Sequence, residues 1–356
     1  MSTRRSLRIA GLVALIVSAL MAGTAVASPP DRAQSEHQRI IDFWTPARVA
    51  AAVPRDFVRM PDGTYVPAKQ GSNPGRGRPG TGSGGGGSDL VTGASWTGSP
   101  AVQKTTGKVL FSIGSSYYVC SASVTDDAGG SESLILTAGH CAYDETGGHF
   151  VENWVFIPDY DAQPVRLTTD RSYCSQTAFG CWTAAALTVD AGFAGAGGFN
   201  DQAVVNDFAV VTVGAGGLSG NAQLDVTVGT QGHAFDTPAS DAIVYAFGYP
   251  AAKKYKGNDL VYCSGPFGYD PNVGNGASTY RIECDMTGGS SGGPWFGPFS
   301  MSDGAGTQRS LNSYGYTGDS GMYGPVFNSD TKAVYDAAAG ATANGVIDPA
   351  TGSITH

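Results

Sequence analysis

The run Leu136-Thr137-Ala138-Gly139-His140-Cys141 ends an apolar stretch in small residues and then presents a histidine at a turn. The chain has five histidines, and only His140 directly follows such a stretch and adjoins a cysteine. A general base needs a ring held in place, because proton transfer depends steeply on geometry. A second run, Cys284-Asp285-Met286-Thr287-Gly288-Gly289-Ser290-Ser291-Gly292-Gly293-Pro294-Trp295, sets two serines between glycine pairs. Glycines let the backbone approach a reacting group closely and let successive N–H groups converge on one point. That arrangement suits stabilisation of a tetrahedral oxyanion in acyl transfer. A third run, Asn206-Asp207-Phe208-Ala209-Val210-Val211, starts an apolar stretch with a carboxylate. A carboxylate entering a sheet is costly unless it is paired, and an imidazole N–H is a suitable partner.

Together these segments form one chemical set in the order His, Asp, Ser. The "LTAGHC", "DFAVV" and "GGSSGGP" segments resemble the chymotrypsin-like serine peptidases, with the closer likeness to bacterial secreted, glutamyl-endopeptidase-like members. The resemblance covers roughly Gly107 to the C-terminal helix. It implies an all-β fold of two six-stranded antiparallel β-barrels with the site between them. It also implies a base at His140, an orienting carboxylate at Asp207 and a nucleophile at Ser291, with Ser290 the rival one residue away. The oxyanion donors are then the backbone N–H groups of Gly289 and Ser291. Ser313-Tyr314-Gly315 resembles the segment that pairs with substrate backbone, with Ser313 beside the carboxylate. Asp285 stands six residues before Ser291, where trypsin keeps the acid that receives Lys or Arg; its cysteine precedes it instead of following it. Asn312 stands where glutamate-specific members place a histidine. Ser290 stands where trypsin-type members place the Asp that pairs with a newly released N-terminus, so the sequence departs from the family pattern at activation.

The implied activity is peptide-bond hydrolysis through an acyl-enzyme, on protein or peptide substrates, by a monomer without metal or organic cofactor. Two other readings weigh against it. Gly289-x-Ser291-x-Gly293 also fits the nucleophile elbow of serine esterases, but that fold orders its residues Ser, Asp, His and follows the serine with a helix, which Pro294 starts poorly. An inactive homologue acting as a binding protein is the other, and the presence of all three residues argues against it.

The elements that must position these residues read as short strands. Lys108–Ile113, Tyr117–Val124, Ser133–Ala138, His149–Ile157, Ala185–Val189 and Asp207–Val213 are rich in β-branched and aromatic residues. So are Leu224–Val228, Ala242–Phe247, Leu260–Cys263, Tyr280–Cys284 and Met322–Phe327. Glycine-rich turns punctuate them, and no helices are expected between them. The Ala-dense stretch Thr331–Ala341 predicts one C-terminal helix. The domain reading is an N-terminal barrel over 90–216 and a C-terminal barrel with the helix over 217–356.

Arg4, Arg5 and Arg8 precede an apolar run from Ile9 to Ala22, and Ala25-Val26-Ala27 supplies a small-x-small site. Residues 1–27 therefore read as an export signal, with no membrane association after its removal and a secreted product. Residues 28–89 read as a separate prosegment followed by a Gly/Ser/Pro-rich linker, with maturation expected near residues 88–107. Residues 1–89 hold 11 Lys+Arg against 6 Asp+Glu, and residues 90–356 hold 10 against 24. An acidic main body lacks the basic face that nucleic-acid binding needs. The six cysteines are even in number, as disulfides in an oxidising compartment require. Sequential pairing of Cys120 with Cys141, Cys174 with Cys181 and Cys263 with Cys284 closes three local loops, one of about 15 possible connectivities.

Overall fold

The computed structural model describes residues 32–68, 90–127, 130, 132–162, 167–169 and 171–356. The expected export signal over 1–27 and the Gly/Ser/Pro-rich stretch over 69–89 lie outside the described residues.

Six strands close on themselves in the first barrel. Glu152–Pro158 pairs with Thr106–Ile113, which pairs with Ser116–Thr125, then Ser133–Thr137, Ala209–Val213 and Trp182–Asp190. The last strand pairs back on the first through Val155↔Thr183 and Phe156↔Trp182, and every pairing in this ring is antiparallel. Strand side chains alternate faces. Val109, Phe111, Trp154 and Phe156 fill the barrel interior, while Leu110, Val155 and Ile157 face a second apolar cluster outside it. Burial on both faces is why these strands read as nearly continuous apolar runs.

The second barrel-like unit is built from two sheets. One carries Ile243–Gly248, Val261–Pro266, Pro294–Ser300 and Ala305–Leu311; the other carries Thr279–Glu283, Tyr314–Tyr316 and Gly321–Pro325. Val244, Cys263, Ile282 and Trp295 share its core. The strand Val91–Ser95 pairs with Val261–Pro266, so a strand from before the first barrel belongs to the second barrel's sheet. The C-terminal helix runs Ser329–Ala338, with the Asn328 side chain accepting from the N–H groups of Asp330 and Thr331. Thr212 Oγ1 donates to the Ala338 carbonyl at 2.7 Å and ties the helix end to the first barrel.

Three expectations are corrected. Leu224–Val228 is a helix, not a strand. Leu224 and Val228, four residues apart, are buried, whereas Val226 between them is 79% exposed, which is helical and not alternating burial. Short helices at Ala191–Ala194 and Asp201–Val205 also lie between expected strands. Finally, residues 32–68 do not stand apart from the barrels. Ile40, Ile41 and Trp44 are buried in the second apolar cluster, and Trp44 Nε1 donates to the Asn153 carbonyl at 2.7 Å. Val53–Pro54 pairs in parallel with Tyr118 and Val119, and Phe57–Arg59 pairs in parallel with Tyr314–Tyr316. The segment brings its own large apolar side chains, and burying them stabilises docking more than leaving them in water.

Asp190 ends a barrel strand and caps the helix Ala191–Ala194 by accepting from Gly192 N–H at 2.6 Å. Burial, with help from Asp330 and Asp348, pushes its carboxyl up to about 6. The native state therefore holds a proton that the unfolded chain has released, and stability falls as pH rises from about 4 to about 6. Asp190→Asn keeps the cap without the charge. It is expected to gain on the order of 1 kcal/mol at pH 7 and to flatten this dependence, as read by thermal unfolding between pH 4 and 8.

Candidate active site

The first barrel delivers two of the expected residues together. Ser133–Thr137 ends, and Gly139–Cys141 makes one tight 3-10 turn that lifts His140 off the sheet. The neighbouring strand runs antiparallel with Ala209 opposite Thr137, so Asp207, two residues before it, lies beside that turn. Asp207 accepts from the His140 backbone N–H at 2.8 Å, and His140 Nδ1 lies 2.8 Å from Asp207 Oδ2. Both side chains are fully buried. Ser313 Oγ, from the second barrel, donates to Asp207 Oδ2 at 2.5 Å. The disulfide Cys120–Cys141 pins the histidine turn to the adjacent strand, and Cys174–Cys181 and Cys263–Cys284 complete the sequential set. Cys120, His140 and Cys141 lie close enough to hold a metal ion, but both sulfurs are spent in the disulfide.

The serine loop is shaped by its glycines. Gly289 has φ +97° and Gly292 φ +82°, and a Cβ at Gly292 would sit 2.2 Å from Thr137 Oγ1. Only glycine meets both demands. Ser290 Oγ donates to the Thr287 carbonyl at 2.9 Å, so the rival serine is committed to its own turn. Asn312, fully buried, donates to the carbonyls of Phe247 and Ser290 at 2.8 and 2.9 Å and accepts from Trp295 Nε1 at 2.6 Å. Ser121, next to Cys120 in the first barrel, reaches across to the same loop. Its N–H donates to the Ser291 carbonyl at 2.7 Å, its Oγ donates to the Gly289 carbonyl at 2.9 Å, and that Oγ accepts from Tyr249 N–H at 2.9 Å.

The remaining expected residues fall unevenly. Asp285 lines a cavity beside Ser291 with Met286, Thr287, Tyr314 and Met322. Its carboxylate is already engaged, by the Lys254 ammonium on Oδ2 and by Tyr255 Oη on Oδ1 at 2.5 Å. Tyr314 turns its side chain inward, where its hydroxyl donates to Asp270 Oδ2 at 2.7 Å. Gly315 is paired with Val58.

Sequence reasoning missed what lies against the serine. Ser291 Oγ donates to Asp56 Oδ1 at 2.7 Å, and Gly289 N–H donates to Asp56 Oδ2 at 3.0 Å. Desolvation in the cleft pushes the Asp56 carboxyl above its ordinary range, opposed by the hydroxyl and N–H donors and by the charges of His140 and Arg55. Phe57 packs edge-on to the His140 ring at 5.7 Å, as does Phe199 at 5.5 Å. His140 Nε2 is buried with no hydrogen-bond partner among the described residues. The available signal was Arg55-Asp56-Phe57 itself, a charge pair abutting an aromatic in a segment read as a separate prosegment.

The chain is similar to the solved structure of the protease Anisep from Arthrobacter nicotinovorans, at 35% identity and TM-score 0.57, covering 70% of this chain and 100% of that one. It is also similar to the thermostable serine protease AL20 from an extremophilic microorganism, at 36% identity and TM-score 0.54, covering 67% of this chain and 99% of that one. No protein-family model and no curated protein matches it. Ser121→Ala orphans the buried Tyr249 N–H and removes the hydroxyl bond to the Gly289 carbonyl, while the Ser121 N–H bond to the Ser291 carbonyl remains. A loss of about 1–3 kcal/mol in urea unfolding is expected.

Proposed function

The chain belongs to the chymotrypsin-like serine proteases, and we propose that it is a secreted serine endopeptidase working through an acyl-enzyme. The observation that carries this reading is the buried His140–Asp207 pair at 2.8 Å, set in the barrel opposite the glycine-framed Ser291 loop. Ser291 Oγ attacks the peptide carbonyl while His140 Nε2 takes its proton. Asp207, held by Ser313, fixes the ring so that Nδ1 carries its proton inward, and it stabilises the imidazolium. The N–H groups of Gly289 and Ser291 receive the oxyanion. Ser313-Tyr314-Gly315 offers its backbone edge to substrate. His140 then returns the proton to the departing amine, and water cleaves the acyl-enzyme in the reverse sequence.

Three disulfides and the sequence pattern of residues 4–27 support secretion. Among the described residues no helix is long and apolar enough to cross a membrane. Partners are protein or peptide substrates, and the acting form is a monomer. Residues 28–89 act as a prosegment. Val91–Ser95 is paired into the second barrel, so maturation N-terminal to Val91 keeps a strand that a cut nearer residue 107 would strip away.

Fluorophosphonate labelling tests the nucleophile. Label is expected on the matured protein and on Ser290→Ala, and its absence from Ser290→Ala with retention in Ser291→Ala would overturn the assignment. Asp207→Asn is expected to lower kcat about 10⁴-fold in peptide hydrolysis. The cavity floor, with Asp285 held by Lys254, favours an uncharged P1 side chain. A peptide-library profile without Lys/Arg enrichment is expected, and Lys254→Ala is expected to raise cleavage after Lys and Arg by uncovering Asp285.

A further inference from the structure

In the uncut chain the Gly289–Ser291 loop is already built. Ser290 Oγ and Asn312 satisfy it from within, and Ser121 clamps it from the other barrel. Nothing there waits for a new N-terminus, so the uncut chain needs another means of staying silent. Residues 53–59 supply one. Asp56 places its carboxyl on the two groups that substrate would need: the Ser291 hydroxyl at 2.7 Å and the Gly289 N–H at 3.0 Å. Arg55 anchors one side, donating to the His140 carbonyl at 2.5 Å, to Glu145 at 2.8 Å and to Asp144 at 3.2 Å. Phe57 covers the other, stacked on Phe199 at 3.9 Å with its edge to His140. Phe57–Arg59 then pairs with the Tyr314–Tyr316 edge, and Thr317 N–H donates to the Arg59 carbonyl at 3.1 Å.

We propose that residues 53–59 are an inhibitor of the peptidase site carried on the same chain, and that the oxyanion loop is a receptor for a carboxyl group, with Asp56 as the head of the ligand. The proposal rests on the peptidase reading above. The chemistry follows from what faces the nucleophile. The hydroxyl proton of Ser291 is directed to Asp56 rather than to the base. The carbon nearest Ser291 Oγ across that hydrogen bond bears two oxygens and no amine to expel, so attack there leads to no peptide cleavage. The substrate edge is filled in the same stroke. A side-chain carboxyl thus blocks nucleophile, oxyanion donor and binding edge together, without being a substrate.

The test compares the uncut full-length chain with its Asp56→Ala and Asp56→Asn variants, by the rate of fluorophosphonate labelling at Ser291. Asp56→Ala is expected to label at least tenfold faster than wild type. Asp56→Asn is expected to fall between, since the amide still accepts a hydrogen bond but carries no charge. Labelling of wild type and Asp56→Ala within twofold of each other overturns the inhibitor proposal and leaves the peptidase reading standing. Absence of label in all three, before and after cleavage within residues 69–89, overturns both. A synthetic 53–68 peptide gives a measurement independent of variant folding. Added to the cut protein, it is expected to raise the KM of a peptide substrate without lowering kcat. An equal effect from the same peptide bearing Asp56→Ala overturns the role of the carboxyl.

Discussion

A carboxylate that is 0% exposed organises this molecule. Burying Asp207 without partners would cost several kcal/mol, more than most single contacts return. Its oxygens are met by three donors: the His140 backbone N–H, the His140 ring and the Ser313 hydroxyl. Two come from a turn of the first barrel and one from the link between Ala305–Leu311 and Tyr314–Tyr316 in the second. The charge is tolerable only where both barrels meet, so the same requirement that fixes the histidine ring fixes the barrels against each other. A single residue thereby couples the stability of the interface to the geometry of the His140 ring.

The junction is reinforced from the opposite direction by two adjacent residues of one strand. Cys120 holds the histidine turn covalently, and Ser121 holds the serine loop through two hydrogen bonds and Tyr249 through a third. Neighbouring strand residues face opposite sides of a sheet. One strand can therefore serve the barrel to which it belongs and the barrel it abuts at the same time. Gly292 completes the fit, because a Cβ there would collide with Thr137 Oγ1 and the Ser121 carbonyl. The approach of the two barrels is thus limited by a missing side chain.

What the sequence disclosed follows the range of the interaction. His140 and the serine loop were legible because each rests on a contiguous run whose small residues are dictated by local backbone. The three disulfides were legible because each closes a short loop between consecutive cysteines. Leu224–Val228 misled because a five-residue apolar run fits a strand and a buried helix turn equally, until the exposure of Val226 shows the period. Asp285 was placed beside the cavity, but its engagement by Lys254, 31 residues earlier, leaves no local trace. Asp56 lay furthest out of reach. Its partners Gly289 and Ser291 are more than 230 residues away, and parallel pairing of Phe57–Arg59 with Tyr314–Tyr316 is set by packing rather than by any turn.

If residues 53–59 inhibit the site as proposed, activation reduces to releasing a ligand once the chain is cut. The pair of Arg55 with buried Glu145 offers little net affinity, since desolvating both charges offsets most of their attraction. Strand pairing over three residues and one stacked aromatic are likewise modest. Covalent connection adds to these contacts and to the burial of Ile40, Ile41 and Trp44, because a tethered segment faces its site at an effective concentration on the order of millimolar. Cleavage N-terminal to Val91 removes that advantage without altering any contact. Water can then take up Asp56 and Arg55, the loop that Ser121 and Asn312 hold stays in place, and Ser291 Oγ is free to turn to His140.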